Sequence, residues 1–322
     1  MRKLYLTQSG TLERSQNTLI FSNEETKKRV PIQEVDAIYA LGELSINSKL
    51  LNYLTQFQIP IYFFNYFGYF SGMYAPRKKA VSGKILIEQV KHYDDRQKRL
   101  SLAMSIVEGA LHNMRKTLMQ YNLPIERFDK FSNKIKECES IQKLLLQEGE
   151  IRSAYFKKFN DIIQNEEFTF VKRVRQPPDN FINTLISFGN SLLYTATLSE
   201  IFKTQLDPTI SYLHEPFERR YSLNLDISEI FKPLIVDRVI FSLINKKIIK
   251  PDHFDKQLNY CYLNAEGRKL FLKEFDSKLQ NTLKYPSLNR KVSYRYMLRL
   301  ECYKIIKKLM EGEPYKPFKI YW

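Results

Sequence analysis

The sequence predicts a two-domain α+β protein, with a small N-terminal antiparallel β domain over residues 1–75, a linker over 76–84 and a larger all-helical domain over 85–322. Three observations carry this. At 322 residues the chain is longer than one hydrophobic core usually organises. Its first quarter consists of short strand-like runs, whereas later segments place apolar residues at three- and four-residue steps, the period of an amphipathic helix. Between them, YAPRKKAVSG (74–83) breaks both patterns with proline, glycine and three adjacent basic residues.

From the start of the chain, RKLYLTQ, TLERSQ, NTLIFS, RVPI and EVDAIYAL read as strands, separated by turn residues such as Ser9-Gly10 and Ser22-Asn23. INSKLLNYLTQFQ interrupts them. It spaces Leu50, Leu51, Leu54 and Phe57 at helical intervals, so a helix should cover one edge or end of the sheet before IPIYFF resumes as a strand. Beyond the linker, KILIEQVKHYDDRQKRLSLAMSIVEGALHNMRKTLMQY alternates apolar steps with charge and reads as long helix. No fixed-period repeat or low-complexity tract interrupts the order.

Lysine and arginine number 51 against 35 acids, a formal charge of +16. Such an excess favours a polyanionic partner, most often nucleic acid, because each neutralised phosphate releases counterions. A membrane is a poor candidate, since IPIYFFNYFGYFSGMY from Ile59 is broken by Asn65 and two glycines and is too short to span. MRKLYLTQSG lacks the apolar run of a secretory signal. Cys138, Cys261 and Cys302 are widely separated and form no CxxC pair, which argues against a disulfide framework or thiolate zinc site and for a reducing cytoplasm.

Chemistry could sit in HEPFERRYSLNLDISE (214–229). A lone histidine is more often a packing residue than a ligand, so His214 says little by itself. If LNLDISEIF begins a helix, Asp226 and Glu229 share one face near its positive end, as a solvated helix start or as a pair of ligands. Upstream, Glu148 and Glu150 flank Gly149, which either admits a close approach or caps a helix. In RKVSYRYMLRLECYKIIKKLM, Lys291, Arg295 and Arg299 recur every four residues beside Tyr294 and Tyr296, so one helical face could track a phosphate backbone or simply be solvated. Arg77-Lys78-Lys79 and Lys246-Lys247 with Lys250 would add to the same field.

QEGEIRSAYF, QPPDNFINTLISFGNSLLY with Asn183, Phe188, Gly189 and Tyr194, LHEP, and SLNLDISEIFKP, in that order, resemble the CRISPR-associated integrase family, metal-dependent nucleases also called CRISPR-associated protein one. Asn190 after SFG and Gln205 before LDP depart from its usual pattern. The resemblance implies that the helical domain is catalytic, with Glu148, His214 and Glu229 as metal ligands and Asp226 as an accompanying acid. Two carboxylates and an imidazole suit Mn²⁺, with Mg²⁺ close behind. It further implies double-stranded and branched DNA as substrate, a homodimer joined partly through the β domains, and a companion, the second CRISPR-associated adaptation protein. Water as nucleophile would cleave DNA; a DNA 3′-hydroxyl would join one end to another strand. A non-enzymatic DNA-binding scaffold and a structure-selective repair nuclease are the competing readings.

Overall fold

The computed structural model describes residues 2–78, 80–175, 177–217, 221–257 and 260–321. Its first part holds two four-stranded sheets. One places β1 (Arg2–Leu6), β5 (Val35–Ala40), β7 (Ile61–Phe64) and β8 (Phe70–Tyr74) side by side in the order β1-β5-β7-β8. The other contains β2 (Gly10–Ser15), β3 (Thr18–Ser22), β4 (Lys27–Pro31) and β6 (Leu44–Ser45) in the order β4-β3-β2-β6.

The β-then-helical order stands, but the expected all-antiparallel pairing needs correction. β1-β5, β5-β7 and β2-β6 run parallel; β2-β3, β3-β4 and β7-β8 are antiparallel. Residue patterning assigns side chains to faces and leaves strand direction open. Direction follows from the connection, and α1 (Ser48–Gln56), started by Asn47 accepting from the Leu50 N–H, supplies the crossover that a parallel neighbour requires.

Both faces of the first sheet are buried, for different reasons. Ile38, Ala40 and Ile61 join Leu12, Leu19, Leu50 and Leu54 in a core belonging to the N-terminal part. Tyr39, Tyr62 and Phe64 belong to the large core that runs on through the helices. Period-two alternation therefore makes this sheet the wall between the two parts.

After β8 the helices follow: α2 (Gly83–Asp94), α3 (Arg96–Gln120), α4 (Glu126–Lys136), α5 (Ile141–Phe156), α6 (Phe159–Ile162), α7 (Phe181–Ile201), α8 (Leu223–Phe231), α9 (Val236–Asn245), α10 (Ala265–Gln280) and α11 (Tyr294–Glu311). Short polar caps start many of them, including Ser82, Asp95, Ser140, Asn180, Asn264 and Ser293. The region is not all-helical as expected. Hairpins β9 (Phe254–Gln257) with β10 (Tyr260–Leu263), and β11 (Thr282–Tyr285) with β12 (Arg290–Ser293), interrupt it. Their strands are four residues long, too short for periodicity to separate from helix.

Two helices position the site. α7 is apolar or small around almost its whole circumference and is buried accordingly. At Gly189 an added Cβ would stand 2.6 Å from Val236 Cγ1 and 2.9 Å from Phe271 Cζ, so glycine allows α9 and α10 to approach. α8 packs between α3 and α7, and all nine of its residues are buried.

Candidate active site

Segments distant in sequence meet at one cavity of about 690 Å³, lined among others by Glu148, Arg152, His214, Glu229, Lys232 and Asp237. α5 contributes Glu148 and, one turn later, Arg152, whose Nε lies 3.5 Å from Glu148 Oε1. The Arg152 guanidinium also reaches Glu229 on α8, and Lys232 at the end of α8 grips the other Glu229 oxygen. Glu229 is only 3% exposed, so the two cations are what make its burial tolerable. Burial alone would push its carboxyl up. The charges of Lys232, Arg152 and His214 more than offset this and hold it down at about 2.

Asp226 has a different task. It is fully buried, and its Oδ2 accepts from the main-chain N–H groups of Tyr212 at 2.7 Å and Leu213 at 3.0 Å. Its Oδ1 accepts from the His214 N–H at 3.0 Å and pairs with His214 Nδ1 at 2.8 Å. One carboxylate thus shapes the 212–214 segment and sets the imidazole's orientation. With Nδ1 occupied, His214 has only Nε2 to offer to anything in the cavity. Burial pushes the imidazole down, but the Asp226 hydrogen bond and the charges of Asp226 and Glu229 leave it above its ordinary value. The solvated helix start is therefore excluded for both acids, which lie in the protein interior.

The donor set suits a divalent cation: two carboxylates and an imidazole whose second nitrogen is already bound to a carboxylate. Among the described residues, no three acids, histidines or cysteines stand in a ready-made cage. Arg152 and Lys232 now supply the positive charge that Glu229 needs, and a divalent ion would take over part of that role from the same cavity.

A family model described as CRISPR associated protein Cas1 matches residues 4–277. The chain belongs to the Cas1 family. A CRISPR-associated endonuclease Cas1 of Fusobacterium nucleatum subsp. nucleatum is 46% identical over 329 residues, covering 100% of this chain and 97% of its own length. A second such Cas1, from Thermodesulfovibrio yellowstonii, is 47% identical with full coverage of both. Among solved structures, a Cas1 protein from Thermotoga maritima superposes with a TM-score of 0.90 at 39% identity, over 96% of this chain and 97% of that one. A casposase bound to integration product shares the fold, with a TM-score of 0.88 at 20% identity, over 100% of this chain and 95% of that one.

Within this Cas1 fold the expected basic stripe is not one helical face. Lys291 is exposed on β12, whereas Arg295 and Arg299 lie on α11. Arg299 donates to Glu200 at 2.6 and 2.7 Å, and Arg295 bridges Glu200 at 3.3 Å and Asp36 at 3.2 Å. Lys203 joins the same acids. These cations neutralise the buried Glu200 and the partly buried Asp36 and fasten β5 to α7 and α11. Helical spacing cannot reveal a neighbour on another element. Of the other basic clusters, Lys78 donates to the Leu206 carbonyl at 2.7 Å, Lys246, Lys247 and Lys250 are exposed, and Lys79 lies outside the described residues.

Sequence reasoning also overlooked Arg152, Lys232 and Asp237 as cavity residues. The first two carried a signal, since Arg152 follows Glu148 by one helical turn and Lys232 follows Glu229 by three residues. Asp237 carried none. It is fully enclosed, and burial raises its carboxyl to about 7 despite the opposing charge of Arg152.

Proposed function

We propose that this protein is a divalent-metal-dependent DNA endonuclease and strand transferase that inserts new spacer DNA into the repeat array during CRISPR adaptation. The observation that carries the proposal is the meeting of Glu148, His214 and Glu229 at one cavity, with Asp226 behind the imidazole, in a chain that matches the Cas1 family nearly end to end.

Glu148, His214 through Nε2, and Glu229 would hold Mn²⁺ or Mg²⁺. When bound, such an ion polarises a phosphodiester and stabilises the charge that develops on its oxygens. The chain's own groups do the rest. Asp226 keeps Nδ1 engaged, so that Nε2 carries the lone pair. Arg152 and Lys232 orient Glu229 and offer positive charge to a phosphate in the cavity. A water or a DNA 3′-hydroxyl attacks phosphorus, one new P–O bond forms, and the departing 3′-oxygen leaves with a proton. The first nucleophile cleaves and the second joins.

The substrates proposed are double-stranded and branched DNA, consistent with the +16 charge. A homodimer in which the β domains take part, and a companion second CRISPR-associated adaptation protein, complete the proposed assembly. No helix of the described residues is long and apolar enough to cross a membrane.

The test is cleavage and strand transfer of branched DNA by wild type and by Glu148→Ala, His214→Ala and Glu229→Ala, with Mn²⁺, Mg²⁺ or chelator. Activity confined to metal-loaded wild type is expected. Full activity in His214→Ala would reject the site, and DNA binding without chemistry in wild type, with the companion protein present, would leave a scaffold as the better account. Cleavage without any joining to a repeat-containing target would favour a repair nuclease.

A further inference from the structure

His214 stands in a stretch, residues 211–215, that belongs to no helix or strand, so its placement depends on what grips the stretch from outside. Within it, Ser211 Oγ donates to the His214 carbonyl at 2.6 Å, which ties the turn together as one piece. On the inner side, Asp226 accepts from the N–H groups of Tyr212, Leu213 and His214 and pairs with the imidazole. All four contacts end on one carboxylate. A grip gathered at one point fixes where the piece lies but resists its rotation about that point only weakly.

A second grip comes from the opposite side. Arg99, in the first turn of α3, donates from Nε to the Tyr212 carbonyl at 2.9 Å and from Nη2 to Glu215 Oε1 at 2.8 Å. Tyr93, near the end of α2, donates its hydroxyl to Glu215 Oε2 at 3.1 Å, and the Arg99 guanidinium lies 4.3 Å from the Tyr93 ring centroid. The Tyr212–Leu213 peptide is therefore held at both ends, its N–H by Asp226 and its carbonyl by Arg99. The two points that Arg99 holds, at 212 and 215, bracket His214. Glu215 also precedes Pro216, a position biased to extended backbone, so anchoring its side chain constrains the adjoining peptide as well.

The Glu215 side chain is 49% exposed, against 12% for Arg99. An ion pair with one partner half in solvent adds little to global stability, so the consequence of this one is local. The residue type matters too. Lysine would carry the same charge without the planar fork that meets a carbonyl and a carboxylate together.

We infer that Arg99, through its paired grip on the Tyr212 carbonyl and the Glu215 carboxylate, is a positioning residue that sets the direction in which His214 presents Nε2 to the cavity. The inference rests on the proposed metal-binding role of His214. Glu215, the acid beside the histidine in LHEP, is then the handle by which α2 and α3 hold the segment.

The test uses the full chain with ¹⁵N-labelled histidine. His214 imidazole ¹⁵N shifts in metal-free protein, Mn²⁺ affinity by calorimetry and the urea midpoint are compared in wild type, Arg99→Lys, Glu215→Ala and Glu215→Gln. Arg99→Lys and Glu215→Ala should move the His214 shifts and weaken Mn²⁺ binding about tenfold, the lower end of what loss of an outer partner costs, with the urea midpoint as in wild type. Glu215→Gln should retain wild-type shifts and affinity, because its amide oxygen still accepts from Arg99 and its NH₂ donates to the Tyr93 hydroxyl. Wild-type shifts and affinity in both Arg99→Lys and Glu215→Ala overturn the inference and leave the catalytic reading standing. A fall in affinity matched by a fall in urea midpoint, or an equal loss in Glu215→Gln, also overturns it, since general destabilisation or charge alone would then account for the effect. Shifts that move in Arg99→Lys and Glu215→Ala but not in Glu215→Gln, in a protein whose wild type binds no Mn²⁺, retain the positioning role and sink the metal reading.

Discussion

Replacing Asp226 with asparagine exchanges one oxygen for an NH₂ group, yet it should damage both the fold and the proposed metal site. Four contacts converge on this carboxylate: the N–H groups of Tyr212, Leu213 and His214, and the imidazole Nδ1. Whichever way the amide turns, its NH₂ faces backbone donors. The less costly orientation keeps the oxygen on Tyr212 and Leu213 and sets NH₂ against the His214 N–H. That leaves one donor unpaired and turns three charge-assisted backbone bonds into two neutral ones, with partial relief from no longer burying a charge. At roughly 1.5–3 kcal/mol for a hydrogen bond to a charged group, the net cost is about 2–4 kcal/mol. Facing NH₂, the imidazole does best by accepting at Nδ1 and carrying its proton on Nε2, which removes the lone pair proposed to bind the metal. Loss of such an outer partner typically costs about 10–100-fold in metal affinity. Urea denaturation followed by far-UV circular dichroism, Mn²⁺ titration calorimetry and the ¹⁵N shifts of His214 measure the three effects. Wild-type stability together with wild-type Mn²⁺ affinity would refute the account of Asp226.

Other perturbations follow from the same geometry. Glu229, held at about 2 against an ordinary 4.5, contributes stability that is fully present above the ordinary value and lost as pH falls toward 2; Glu229→Gln should flatten the stability profile of metal-free protein over that interval, and an unchanged profile would contradict the pairing with Arg152 and Lys232. His214 has the opposite sign, because its value is raised: its contribution is present below pH 6.5 and fades as pH rises through the folded value, which histidine NMR in chelator would register as a downward shift in Asp226→Asn. Gly189→Ala should cost about 1–3 kcal/mol in thermal or urea unfolding, since its Cβ would press on Val236 and Phe271, and a neutral result would mean that α7 and α9 move apart freely. Arg299→Ala should destabilise by about 1–3 kcal/mol, because Glu200 would keep only Arg295 and Lys203, while the salt dependence of DNA binding stays as in wild type; a shallower salt slope would restore Arg299 to the DNA-binding surface.

Much of this protein was legible in its residues. The change from strand-like runs to helical steps announced the β-to-helical order, and β8 ends at Tyr74 with α2 starting at Gly83, on either side of the proline-glycine break. Ser82, Asp95 and Asn180 cap helix starts through local hydrogen bonds, which need no tertiary neighbour. Glu148, His214, Glu229 and Asp226 stood out through ordered motifs, and the structure brings the first three to one cavity with Asp226 behind the imidazole. What only the tertiary structure decided are the relations between elements. Parallel pairing of β1, β5 and β7 depends on crossovers; the partners of Arg295 and Arg299 depend on β5 and α7 lying beside α11; and the burial of Asp226 depends on α8 packing between α3 and α7. A period along the chain reports which face of its own helix or strand a side chain takes, while the identity of what lies opposite is fixed only when distant segments close one core.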